Sequence, residues 1–279
     1  MGRSARETLM KRRRPLSLII GLMLLVILAI GAVGAPVLSP ADPDDFQLAH
    51  HHEGPSIHHL MGYDENGCDV LAQVIYGARV SLLVAISVVA VSVCIGLAIG
   101  TVSGYYVGWI DQLTMRFVDL LHAFPGFLLA LAIVAVMGPS ATHLVFAMCI
   151  TGWTGYARLV RGEVMHLKHR EHVQGAIAVG ATTWWVVRKH LWPNLFAQVM
   201  VQATFGFAGA ILTESGLSFL GLGTSLDTPT WGSLLNSGRR SLLEAPHISL
   251  FAGLAILVAV LSFNLIGNGL QKIIDPRST

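Results

Sequence analysis

The chain has 279 residues, of which 53% are hydrophobic and only 12% charged, with a mean hydropathy of +0.64. Soluble domains carry about a quarter charged residues, so this composition excludes a water-soluble globular protein and implies an integral membrane protein. The net charge of +2 says little by itself, no nucleic-acid partner is expected, and the placement of the charges is more informative than their sum.

In chain order, residues 1–15 form a basic N-tail holding Arg3, Arg6, Lys11, Arg12, Arg13 and Arg14. A first apolar span follows at 16–37, longer than a signal-peptide core and therefore read as retained. Residues 38–78 are a polar loop with Pro40, Pro43 and Pro55. Spans two to four are predicted at 80–106, 117–137 and 142–160, with Pro125 expected to kink the third. A polar and small-residue stretch lies at 168–192. Span five is predicted at 195–222, a second polar loop at 223–247, span six at 248–270, and a short tail at 272–279. Residues 79–271 form the core of the membrane domain. Cys68, Cys94 and Cys149 cannot pair completely, and two lie in apolar runs, so no disulfide framework is expected.

Charge asymmetry orients the chain. Fifteen of the eighteen Lys and Arg fall on one side: the N-tail, Arg116, the stretch from Arg158 to Lys189, and Lys272 with Arg277. Arg79, Arg239 and Arg240 fall on the other. The positive-inside rule makes the first side cytoplasmic, so both termini and the 168–192 stretch are expected there, and the loops 38–78 and 223–247 outside.

Small residues recur within the spans, as at Gly96, Ala98 and Gly100 or Gly206, Ala208, Gly209 and Ala210, and let membrane helices pack closely. Polar groups in the spans are few and costly in hydrocarbon. Asp119, Glu214 and Ser218 are therefore candidate pathway or gate residues. The plainer reading of Glu214 is a helix–helix hydrogen bond near the outer interface. That of Asp119 and His122 is a structural role near Arg116.

The 168–192 stretch is basic at both ends (Lys168, Arg170; Arg188, Lys189) and small in the middle (Gly175, Ala176, Ala178, Gly180, Ala181). It is expected to form a helix that another protein can approach closely, ended by Pro193, which lacks the N–H a helix interior needs. Trp184, Trp185 and Trp192 would suit a helix lying on headgroups instead. No GxxxxGK[ST] phosphate loop is present, so any ATP-derived power must come from another polypeptide. His50, His51, His52, His58 and His59 suggest a metal site, yet adjacent histidines on a proline-rich loop lack a scaffold, and a solvated loop is expected. His169-Arg170-Glu171-His172 does not complete a zinc-protease motif. A proton-coupled secondary transporter would need internal repeats and more buried acids.

The segment from Arg170 to Asn194 resembles the cytoplasmic loop of binding-protein-dependent ABC transporter permeases. That loop has a Glu-Ala-Ala start, a glycine four residues after the second alanine and a Leu-Pro end. Here the corresponding residues are Gln174-Gly175-Ala176, Gly180 and Trp192-Pro193. The stretches 62–70, 76–82, 217–223 and 264–276, with Asp119, Ala123-Phe124-Pro125, Pro229 and Trp231-Gly232, are similar to the dipeptide, oligopeptide and nickel importer subfamily, in its C-type permease. The resemblance implies an all-α polytopic protein with six transmembrane helices and the type I ABC importer permease fold. It implies import of di- or oligopeptides, or alternatively of nickel or another small solute. The implied partners are a homologous permease in a heterodimer, two ATPase subunits and an extracytoplasmic solute-binding protein, in the cell (inner) membrane. ATP and Mg would sit on the ATPases, with no cofactor and no catalytic residue in this chain. Arg170, Glu171, Gln174, Gly175, Ala176, Gly180 and Ala181 would couple to the ATPases.

Overall fold

The computed structural model describes residues 15–39, 42–43, 45–224 and 228–274; the basic N-tail up to residue 14 and the end of the C-tail from 275 lie outside them. Helices dominate the described residues, among which there is no named strand. The first pass is α1 (Leu16–Val33), continued past Gly34 by the short α2 (Ala35–Leu38). Next come α3 (Val70–Tyr105), α4 (Trp109–His122), α5 (Gly126–Met137) and α6 (Ala141–Lys168). Beyond these, α7 (Glu171–Ala178) and α8 (Thr183–Val186) lead through a π turn, Val187–Leu191, into α9 (Trp192–Phe219). Further on are α10 (Trp231–Arg240) and α11 (Pro246–Ile274), which completes the described residues.

Close contacts at glycines fix how the helices run. Gly96 of α3 faces Trp153 and Tyr156 of α6, Gly100 faces Ala157 and Val160, and Gly104 faces Arg161 and Val164. Sequence number rises together on both helices, so α3 and α6 are parallel and packed backbone to backbone, as small residues permit. On α9 the order reverses: Trp192 Nε1 donates to Thr101 Oγ1 (3.2 Å) at one end, and Ser81 Oγ donates to Glu214 at the other (3.1 Å). Gly267 of α11 meets Thr204 of α9, while Gly21 of α1 meets Ser262 and Gly269 meets Leu18. The described residues thus traverse the bundle six times: α1, α3, α4 with α5, α6, α9 and α11. The start of α1 and the ends of α3, α6 and α11 share one end of the bundle with the start of α9.

Four of these helices are long and apolar enough to cross a membrane, with the α4–α5 pair a fifth if its two parts are one span. That is short of the six apolar spans expected from the sequence. The remaining pass, α6, has 28 residues and a rise of about 42 Å. Its polarity comes from Arg158, Arg161, Glu163 and Lys168 near one end.

Three expectations need correction. The third span is not one kinked helix over 117–137 but two helices bent by 76°. Pro125 biases Phe124 away from helical geometry and serves as the N-cap residue of a new helix. The second span starts at Val70, not 80, because Asp69 caps it by accepting from Ala72 N at 2.9 Å; residues 70–78 are helix, not loop. Finally, Pro193 does not end a helix. It occupies the first turn of α9, directly after the π turn, and residues 183–219 form one continuous helical stretch. The wide turn accommodates the hydrogen bond that proline removes.

Candidate functional site: an exposed elbow between α6 and α9

The elbow begins where α6 stops. Lys168 Nζ donates to Tyr105 O at 2.8 Å and lies over the Tyr105 ring at 4.7 Å, which pins the ends of α6 and α3 together. Arg170 is the N-cap residue of α7, and Glu171 places a carboxylate in its first turn, where the helix dipole favours negative charge. Gln174 Nε2 donates to Lys168 O at 2.8 Å, satisfying a terminal carbonyl of α6 that its own helix leaves open.

The C-terminus of α7 is closed by two backbone bonds, Gly180 N to Ile177 O at 3.0 Å and Ala181 N to Ala176 O at 3.1 Å. Gly180 has φ +86°. This pairing with a left-handed glycine is the Schellman C-cap. It turns the chain sharply, so that Thr182 can cap α8 through its side chain.

The inward face of the elbow is a small core of its own. Val173, Val186 and Leu191 are fully buried among Val160, Val164, Leu167, Leu195 and Val199. The outward face presents Glu171, Gln174, Gly175, Ala178 and Gly180, with Val179 88% exposed. A side chain added at Gly175 would meet nothing within 4 Å. The expected coupling residues therefore fall on one elbow: Arg170, Glu171, Gln174, Gly175 and Gly180 are exposed, and Ala176 and Ala181 half-buried. Trp184 and Trp185 are also exposed, whereas Trp192 is tied to Thr101. The expected uninterrupted helix over 168–192 is replaced by α7, a turn and the start of a long pass.

The pathway candidates are dispersed. Asp119 is exposed and pairs with Arg158, not Arg116. Glu214 is fully buried and accepts hydrogen bonds from Ser81 (3.1 Å), Ser215 (3.3 Å) and Ser218 (2.8 Å), so it ties α3 to α9. Ser218 also lines a polar recess at the other end of the bundle from the elbow, with Asp64, Asn66, Gln73 and Arg240. The 45–69 segment folds over that end. His59 bonds Asp69 and Tyr63 at 2.8 Å each, His247 Nε2 meets Tyr63 O at 3.0 Å, and His52 pairs with Glu244 at 3.2 Å. Burial, with Asp69 and Glu53 nearby, holds the Tyr63 hydroxyl above its ordinary value. Among the described residues no group of His, Cys, Asp and Glu is arranged to hold a metal ion, and Cys94 and Cys149 are free thiols.

One cluster was missed from the sequence. Asp111 accepts from Ser103 and from Arg161, whose Nη2 lies at 2.6 Å, joining α4 to α3 and α6. Nothing in the local sequence pairs an aspartate with an arginine fifty residues later.

Residues 96–279 match the family described as the binding-protein-dependent transport system inner membrane component. The chain is similar to the glutathione transport system permease protein of Pectobacterium atrosepticum, 39% identical over 266 residues, covering 95% of this chain and 88% of that one. It is similar to the dipeptide transport system permease protein of Alkalihalophilus pseudofirmus, 37% identical over 272 residues, covering 98% and 90%. A glutathione transport system permease protein of Escherichia coli is 36% identical over 256 residues, covering 91% and 84%.

Proposed function

This chain belongs to the binding-protein-dependent transport system inner membrane components, and from that premise we propose that it is one of two homologous permease subunits of an ATP-driven peptide importer. The two relatives named for glutathione and dipeptide transport support a short peptide as the solute over nickel. The observation that carries the mechanical part is the exposed elbow, set at the same end of the bundle as the start of α1 and the end of α11.

In this reading all six passes cross the bilayer, and the elbow end, with both termini, is cytoplasmic. Charge supports that side: Arg116, Arg158, Arg161, Lys168, Arg170, Arg188 and Lys189 cluster toward it, as the positive-inside rule requires. Two ATPase subunits, which carry the ATP and Mg, dock at this elbow and at that of the partner permease. Arg170, Glu171, Gln174, Gly175, Ala176, Gly180 and Ala181 form the coupling surface of this subunit. Closure of the ATPases moves α7 against the ends of α6 and α9. Because the elbow's core is continuous with both helices, the movement reaches the membrane. Nucleotide can shift the permease between inward- and outward-facing arrangements only by favouring one of them. A solute-binding protein delivers the peptide to the opposite end, where the 45–69 segment and α10 lie. Glu214 with its serines holds α3 to α9 as a structural pin, and Asp119 serves the same kind of role with Arg158.

The test is uptake of a radiolabelled dipeptide into proteoliposomes that hold the complete complex. Uptake that needs ATP inside and binding protein outside is the expected result. Uptake by this chain alone, driven by a proton gradient, would overturn the proposal.

A further inference from the structure

Between α3, α5, α6 and α9 the bundle leaves a recess of about 240 Å³. Its mouth is marked by exposed residues, Gly126 and Phe127 on α5 and Gly209 on α9. Deeper in it are Ser92, Thr151, Tyr156 and Thr213. Two of these are anomalous for an apolar bundle. Tyr156 is 5% exposed and Ser92 1% exposed, yet among the described residues neither hydroxyl oxygen has a nitrogen or oxygen hydrogen-bond partner. The Cys149 thiol lies beside Ser92 and is only a weak partner. Elsewhere in the same helices, Thr101 and Thr204 return their hydroxyls to carbonyls of their own helix.

The space for these hydroxyls is made by glycine. A side chain at Gly206 would overlap Tyr156 Oη, and one at Gly152 would overlap Ser92 Oγ. An unpaired buried hydroxyl is costly, and more so where no water is at hand. A bundle that omits two side chains to seat two such hydroxyls, buried and unpaired, in the wall of a recess is holding them for something that enters it.

We propose that this recess is where the subunit touches the solute in transit, with the Tyr156 and Ser92 hydroxyls bonding the amide and carbonyl groups of a passing peptide backbone. The proposal rests on the peptide-importer reading above and extends it to named side chains. Two hydroxyls, each both donor and acceptor, with no charge at the site, suit a group common to all peptides and do not select among side chains. Thr151 and Thr213 stand at the wall, and Glu214, one residue further along α9, is turned away into its own serine socket.

The experiment uses the assembled complex with Cys68, Cys94 and Cys149 replaced by alanine, in proteoliposomes that still take up dipeptide. Thr213→Cys is exposed to a water-soluble methanethiosulfonate reagent during turnover, with and without excess alanyl-alanine. The expected result is labelling that is slowed several-fold by the dipeptide. In parallel, Tyr156→Phe is expected to raise the KM for uptake about three- to tenfold, the loss of one hydrogen bond, with little change in the amount of complex assembled. No labelling would mean a dry or lipid-covered recess, and labelling without protection would mean a hydrated one that solute does not reach; either overturns the proposal. A complex that shows no ATP-dependent dipeptide uptake before any substitution defeats the importer reading instead, so the two failures are distinguishable.

Discussion

Gln174 stands where the resembling loop carries a glutamate, and its contact gives the substitution a physical sense. Its amide donates to Lys168 O at 2.8 Å, and a carboxylate has no proton to donate there. Gln174→Glu is therefore expected to cost about 1 kcal/mol, read as a fall of about 3 °C in the melting temperature of the purified chain. Gly180 is constrained by its φ of +86°, a region that costs other residues about 1–2 kcal/mol. Gly180→Ala should loosen the α7 C-cap, and Gly180→Trp should also obstruct the open surface. Dipeptide uptake measured against ATP hydrolysis in the complete complex should fall in both, and further in the second. At Glu214, alanine would leave the hydroxyls of Ser81, Ser215 and Ser218 without their shared acceptor. A loss of about 2–3 kcal/mol is expected, seen as reduced recovery of folded protein from membranes, with Glu214→Gln recovering most of it.

Among the elements, α3 and α6 form the axis, because their glycines let two backbones run side by side over Gly96, Gly100 and Gly104. Gly100→Val would drive a branched side chain into Ala157 O and Val160. Overpacking at such a contact costs about 1–3 kcal/mol, so this variant should melt lower than one bearing Gly162→Val on the same helix pair, where nothing lies within 4 Å. The elements also show where sequence reading reached its limit. The position of the elbow was legible from its basic ends and small middle, as were the apolar spans around it. The fate of each proline was not. Pro125 and Pro193 are alike in sequence, but one separates two helices by 76° and the other is taken up by a π turn within one long helix. What decides is long-range packing: Leu191 and Leu195 are held in the elbow's core on either side of Pro193, while the residues flanking Pro125 are exposed. Likewise the start of α3 at Val70 depends on one cap, Asp69, which hydropathy does not register because Gln73, Tyr76 and Arg79 interrupt the apolar run.

For the whole molecule, the six passes and the shared end of α1, α6 and α11 follow from helix directions fixed by contacts far apart in sequence. The number of passes was expected from apolar runs, yet α6 is too polar to be counted by apolarity, since its charged end is tied to α4 through Asp111 and Asp119. The recess around Tyr156 and Ser92 was not legible at all, because it is assembled from four helices and is defined by missing side chains. The central claim is that the elbow lies on the ATPase side and carries its motion. Its most direct measurement is cross-linking from Val179→Cys, in the cysteine-free background, to cysteines placed across the facing surface of the ATPase subunit in the assembled complex. The account predicts a specific cross-linked product whose yield changes between nucleotide-free and ATP-trapped states, with transport blocked once it forms. A Val179→Cys that reacts only with reagents added from outside the cell, or never cross-links to the ATPase, would contradict it.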